Sequence, residues 1–436
     1  MYVIFTLLAQ WLLTRSQRFD LTTPDVESTI FRSYAIRVKD IVHCHRVLTE
    51  PECIPTNLFN QLINLESARI ESRASGTVPL RMSLAPRLRA LALQIGYTKS
   101  NSTSTAVHDM VSLLKGRSSL EQLSVRGHSS ECLHVPLSNI MTLRSLSLHL
   151  SSLTEQSFMT VSTFPLLADF DVHADRLPHD HLATAFAHAS GAPFFPALEK
   201  LKIRAQPTLV ALVLQQLPHD KLRSLHIDAT GPGMSSAFDS LFKAMTNLPL
   251  HELTLEHATS VDESEDIPAY TPDRFFTLDH LQPLSKLPLR SFILDTSLPP
   301  DLSDAAIEEM TTWWPLLRHL QLGACTALEN VETDWTPRTS LASLFALARR
   351  CRHLKHLVIT LDANVGSLSL PNPLASHPLT SLSIGSRCRP DVAFLSAMLP
   401  RLFPSLVDLT LGFVGEHENA WNVLQVAVRN LPLGSS

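Results

Sequence analysis

The chain has 436 residues, a formal net charge of −5 at neutral pH, 44% hydrophobic residues and only 18% charged ones. That much apolar material excludes a disordered tail, and the acidic balance supplies no global basic field for nucleic acid or an anionic membrane. With 13 glycines the chain is not collagenous and has little material for glycine-rich phosphate loops, whereas about one residue in six is leucine. At about 150 residues per domain the length suggests two or three domains, a count that a repeat array would void.

The first predicted element is the 12-residue apolar run Tyr2–Leu13. It is too short for a transmembrane helix, which needs about 20 residues. No basic residue precedes it, and Arg15 and Arg18 follow it, so it reads as a short packed helix, or the cut end of a larger element, rather than a secretory signal. Residues 1–64 are expected to form an N-terminal helical and linker region.

From there on a hexad, L-x-x-L-x-L, recurs in twelve copies. Their first leucines are Leu88, Leu120, Leu143, Leu167, Leu198, Leu222, Leu250, Leu289, Leu317, Leu354, Leu379 and Leu406, and the degenerate LESARI at Leu65 looks like a thirteenth. The fourth and sixth positions alternate with polar residues, as in a short strand with one buried face. Successive first leucines lie 23 to 39 residues apart, which leaves room for a helix in each interval. Helical patterns fill several intervals: Ala106–Gly116, His181–Ser190, Ala237–Leu248, Asp304–Trp314, Leu341–Cys351 and Asp391–Phe403. Ser303 and Asp304 mark one helix start, Pro315 stops that helix, and Pro390 precedes another. Strand plus helix at this period predicts an α/β leucine-rich-repeat solenoid. The expected shape is a ribonuclease-inhibitor-like horseshoe of 12–13 units over residues 65–436, with parallel strands on the concave face and helices on the convex face. Ordinary βα units of a doubly wound sheet would not repeat the same hexad phase. The ninth position, usually Asn or Cys, holds Gly96, His128, Ser151, Asp175, Gln206, Thr230 and Cys325, so no Asn ladder forms and the solenoid should be irregular. Val261–Asp273, acidic and proline-bearing, and Asn330–Ser340 read as surface loops.

Few chemical motifs are present. There is no G-x-x-x-x-G-K, G-x-G-x-x-G, H-E-x-x-H or G-x-S-x-G. The six cysteines (Cys44, Cys53, Cys132, Cys325, Cys351 and Cys388) include no C-x-x-C pair, which fits buried free thiols better than disulfides or a zinc site. His43 and His45 share a strand face, and His179 and His181 stand close together, but neither pair has a third ligand at matching spacing. No catalytic residue, cofactor or metal is expected. What remains is a surface: the third, fifth and seventh hexad positions face out from the sheet. They place Lys200, Lys202 and Arg204 in one unit, His226 and Asp228 in the next, then Glu252, Glu256 and Asp295. A basic strip beside an acidic strip would suit a protein partner of complementary charge.

Several segments resemble the leucine-rich-repeat F-box proteins expanded in mushroom-forming (basidiomycete) fungi. They are Arg18–Ile41 (RFDLTTPDVESTIFRSYAIRVKDI), Leu84–Leu93 (LAPRLRALAL), Thr312–Gly323 (TWWPLLRHLQLG), Ser340–Ala363 (SLASLFALARRCRHLKHLVITLDA) and Leu399–Leu409 (LPRLFPSLVDL). The resemblance implies an intracellular (cytoplasmic or nuclear) non-enzymatic scaffold whose repeats recruit a protein substrate to an SCF-type ubiquitin ligase. In that family an N-terminal F-box docks on the ligase adaptor. Here only Met1–Gln17 precedes the matching segment, with no L-P-x-E/D opening, so adaptor binding is expected only if an F-box stands upstream. Neither nucleic acid nor membrane is expected as a partner. The alternatives are a repeat-type binding protein with no ubiquitin role and an α/β enzyme of unrecognised kind.

Overall fold

The computed structural model describes residues 36–45, 63–72, 87–95, 119–127, 133–189, 193–231, 235–257, 275–296, 300–323, 336–364, 368–374, 376–412 and 417–429. Within them, fourteen strands form one sheet in the order of the chain. Every neighbouring pair is parallel. The strands are β1 (Asp40–His45), β2 (Ser67–Ser72), β3 (Ala90–Ile95), β4 (Gln122–Gly127), β5 (Ser145–Leu150), β6 (Asp169–His173) and β7 (Lys200–Ala205). The series continues with β8 (Ser224–Ala229), β9 (Glu252–His257), β10 (Ser291–Thr296), β11 (His319–Leu322), β12 (His356–Thr360), β13 (Ser381–Gly385) and β14 (Asp408–Gly412). From β2 onward each strand begins two residues after the first residue of a hexad. This is a leucine-rich-repeat solenoid, with the strands on its concave face and the helices on its convex face.

The expected start at residue 65 is too late for the sheet. β1 lies ahead of it, inside the expected linker region, and pairs with β2 from Asp40↔Ser67 to His45↔Ser72. The backbone shows why: Lys39 O accepts from Glu66 N and Ser67 N, just as Glu66 O accepts from Arg89 N and Ala90 N. The unit is spelled V-x-x-I-x-H from Val38 to His43, which hides it from a search for leucine.

Alternation along the strands builds the core. In β5, Leu146, Leu148 and Leu150 are buried while Ser145, Ser147 and His149 remain half-exposed. Fully burying one such side chain stabilises by about 1.5–3 kcal/mol. Stacking repeats these inward residues along one continuous apolar column, so the length corresponds to one quasi-one-dimensional array rather than two or three separate cores.

The helices are α1 (His134–Leu137), α2 (Glu155–Ser162), α3 (His179–His188), α4 (Pro207–Leu214), α5 (Asp239–Met245), α6 (Leu278–Leu281), α7 (Asp304–Trp313), α8 (Leu341–Arg350), α9 (Val392–Leu402) and α10 (Glu418–Arg429). Ser303 caps α7 by accepting from Ala306 N at 3.2 Å, and Asp391 caps α9 by accepting from Phe394 N at 2.9 Å. The helix expected over Ala237–Leu248 is a 3-10 turn, Ser235–Phe238, running into α5. α4 escapes an amphipathic search because its sequence, PTLVALVL, is apolar all round and mostly buried, with proline at its start. The Tyr2–Leu13 run, the expected helix at Ala106–Gly116 and the loop Val261–Asp273 lie outside the described residues, as does most of Asn330–Ser340.

In place of an Asn ladder, different groups tie successive turns together. Arg176 Nη1 donates to Ser151 O at 2.9 Å, His257 Nε2 donates to Gly231 O at 3.2 Å, and the buried Trp314 Nε1 donates to Leu284 O at 3.1 Å. No described helix is long and apolar enough to cross a membrane.

Candidate functional site: the outward face of the central strands

Equal hexad phase in neighbouring repeats puts equivalent positions side by side. The seventh positions form a lateral row: His173 pairs with Arg204, Arg204 with Asp228, Asp228 with Glu256, and Glu256 with Asp295. The fifth positions form a second row, in which Asp171 pairs with Lys202 and Lys202 with His226. Lys200 and Glu252 hold third positions, where Ser224 separates them. The structure therefore brings six of the eight expected residues into one patch: Lys202, Arg204, His226, Asp228, Glu256 and Asp295.

The expected basic and acidic strips meet at a seam, where Arg204 and Asp228 neutralise each other. Arg204 Nη1 lies 3.4 Å from Asp228 Oδ2, and His226 Nε2 reaches diagonally to within 3.2 Å of Glu256 Oε1. Both pairs are partly exposed, so each is worth about 0–1 kcal/mol to folding. Burial together with the neighbouring Glu256 raises the Asp295 carboxyl above its ordinary range.

Four residues on the two preceding repeats extend the patch and were missed. They are His149 on β5 and Asp169, Asp171 and His173 on β6. The signal was available, because the third, fifth and seventh positions of the Leu143 and Leu167 units yield them. The His149 and His173 rings stack with centroids 4.0 Å apart. His149 Nε2 lies 2.9 Å from Asp171 Oδ1, within ion-pair range but bent away from hydrogen-bond geometry. Ser147 Oγ donates to Asp171 Oδ2 at 3.5 Å. Burial raises the Asp171 carboxyl, but the His149 contact and the charges of Lys202 and His173 outweigh it and hold the group below its ordinary value. Burial, with the charges of His149 and Arg204, lowers the His173 imidazole.

The depressed Asp171 value has a pH consequence. A carboxyl depressed in the folded state stabilises fully above its unfolded value, near 3.8, and that contribution is lost as pH falls through the lower folded value. Asp171→Asn is thus expected to lower stability near neutrality and to flatten the acid limb in that window, so that the variant and wild-type curves converge below it. Chemical denaturation at a series of pH values checks this; an unchanged acid limb would contradict it.

The other candidate groups do not assemble. His179 lies 3.2 Å from Asp180, while His181 faces Glu155 at 3.4 Å, so the two histidines point to different partners. The side chains of His43 and His45 lie outside the described residues. Among the described residues no three His, Cys, Asp or Glu side chains are placed to share a metal ion. Burial pushes the Cys351 thiol up to about 11. The Cys388 thiol is also pushed up to about 11, by burial and by the adjoining Asp362. Neither is an activated nucleophile.

No family model matches the chain, and no curated protein does. Among solved structures it is similar to an internalin (inlF) from Listeria monocytogenes at 14% identity and a TM-score of 0.38, over 97% of this chain and 91% of that one. It is also similar to the structure of the Rad7 and Elc1 complex in yeast at 14% identity and a TM-score of 0.40, over 87% of this chain and 96% of that one. Likeness at this level says nothing about what the chain binds.

Proposed function

We propose that the chain is a non-enzymatic recognition scaffold that holds a protein target on the concave face of β5–β10. The observation that supports this reading is the charged patch itself. Two lateral rows of ionisable side chains cross adjacent strands, fixed by a sheet whose other face is solid core. Lys200, Lys202 and Arg204 are all exposed on one strand, and half-buried carboxylates follow on the next three. Such an array suits steering and registering a partner of complementary charge. It offers no activated nucleophile.

The resemblance to F-box repeat proteins suggests the finer reading, in which the held protein is the substrate of an SCF-type ubiquitin ligase. Any ubiquitin chemistry would then belong to partner subunits. Quantitative interaction proteomics comparing the wild type with Lys202→Glu/Arg204→Glu tests both levels. The double variant is expected to lose a defined set of partners, by about tenfold or more each, while melting like the wild type. Partner levels should rise in cells depleted of the chain. An unchanged partner set would sink the concave-face reading. A lost set with unchanged cellular abundance would sink only the ligase reading.

A further inference from the structure

The second hexad position, at the N-terminal rim of the sheet, carries a charge pattern unlike that of the concave face. Over the first repeats it alternates in sign: Lys39, Glu66, Arg89, Glu121, Arg144. There it partly self-neutralises, with Lys39 Nζ 3.1 Å from Glu66 Oε1. Past Glu199 the alternation stops, and the next five repeats carry Arg223, His251, Arg290, Arg318 and Lys355 before Thr380 ends the run.

These five residues are true neighbours. His251 N donates to Arg223 O, Arg290 N to His251 O, Arg318 N to Arg290 O and Lys355 N to Arg318 O, at 2.7–2.8 Å throughout. At about 4.8 Å per strand they span roughly 19 Å. Arg223, Arg290, Arg318 and Lys355 are exposed. Arg223 donates to the carbonyls of Pro249 and Asp220, which leaves its charge uncompensated. Among the described residues, no carboxylate pairs with Arg290, Arg318 or Lys355. The turns ahead of the strands add Lys221, Lys286 and Arg352, of which Lys221 pairs with Asp220 at 3.7 Å. Burial first, then the charges of Arg290 and Arg223, lower the His251 imidazole against the opposing charge of Glu252.

Like charges placed side by side repel one another, and an array of them is expected to be relieved by an anionic partner. We propose that the rim of β8–β12 is a docking ridge for an extended acidic segment of a partner polypeptide, laid across the strand ends. Its length matches about six residues of extended chain. Two observations favour polypeptide over nucleic acid. No exposed Phe, Tyr or Trp side chain stands among the described residues for a base to stack on. Leu316, 52% exposed in the turn ahead of Arg318, offers the apolar contact that a side chain uses. The ridge is a different surface from the concave patch and does not depend on it.

Fluorescence anisotropy with a labelled octa-glutamate peptide and the full chain tests the proposal. Saturable, salt-sensitive binding is expected. Arg290→Glu/Arg318→Glu/Lys355→Glu should weaken it by about tenfold or more, and the glutamine triple variant should weaken it less. Arg89→Glu, on the alternating half, and Lys202→Glu/Arg204→Glu, on the concave face, should bind within about twofold of the wild type. Absent binding, equal binding by the ridge variant, equal loss in either control variant, or tighter binding of a single-stranded oligonucleotide of the same charge would each overturn it.

Discussion

Asp304→Ala is expected to destabilise the solenoid by about 2–4 kcal/mol, less than the full sum of its three charge-assisted hydrogen bonds because water reaches the half-buried carboxylate. Asp304 opens α7, but its carboxylate serves the next repeat. Oδ1 accepts from Ser340 N at 2.8 Å and from Ser343 Oγ, and Oδ2 accepts from Ser340 Oγ at 2.7 Å. Ser340 is the N-cap of α8 and accepts from Ala342 N at 3.1 Å. One carboxylate thus lies between two helix N-termini, where both dipoles favour negative charge. Alanine would leave the fully buried Ser343 hydroxyl and the Ser340 amide without partners. Asp304→Asn keeps one acceptor pair without the charge and should cost about half as much. By contrast, Arg350→Ala removes an exposed 2.8 Å pair with Glu308 at the far side of the same helices and should cost no more than about 0.5–1 kcal/mol. Denaturant titration gives the totals, and hydrogen exchange should place the Asp304→Ala loss in residues 304–350, because each repeat leans mainly on its neighbours. A change under about 0.5 kcal/mol would mean that water satisfies these groups equally well.

This junction marks a boundary of what the sequence makes legible. Ser303 and Asp304 are readable as a helix start, and the start is there. That the same aspartate also holds Ser340, 36 residues on, follows only from the lateral stacking of repeats. The strands were far more legible, since each hexad carries its own leucines and its own alternation. β1 was not, because valine, isoleucine and histidine fill the slots of its hexad. α4 was not, because an all-apolar helix has no polar stripe to betray its period. The patch lay between these cases. Constant hexad phase made Arg204 and Asp228 adjacent in advance, since both hold the seventh position. The diagonal reach from His226 to Glu256 depends on side-chain angles that no linear pattern encodes. Of the patch, His149 and Asp171 were overlooked although the same positional rule names them. The rim needed the second position read along the whole array rather than within one unit.

Phe195→Ala is expected to cost about 3–5 kcal/mol, as for other buried phenylalanines, and Phe195→Gly should cost roughly 0.5–1 kcal/mol less than that. The order is unusual, because glycine ordinarily destabilises more than alanine. Phe195 is 1% exposed and packs with Phe158 and Phe170, at centroid distances of 5.7 and 5.6 Å, in the turn that delivers the chain to β7. Its φ is +50°, in the left-handed region, and it is the only non-glycine residue there among the described residues. An L-residue in that region costs about 1–2 kcal/mol. Here the conformation is held by ring burial and by Phe195 N donating to Ser162 O at 2.6 Å. Alanine loses the ring and keeps the backbone penalty. Glycine loses the ring and sheds the penalty, at an entropic cost of about 0.5–1 kcal/mol. Both variants open the same cavity beside Phe158 and Phe170, so their difference isolates the backbone contribution. Paired denaturation curves with equal m-values would measure it directly. A glycine variant no more stable than the alanine variant would show that the turn relaxes out of the left-handed region once the ring is gone, so that the aromatic cluster imposes the conformation rather than merely filling the space beside it.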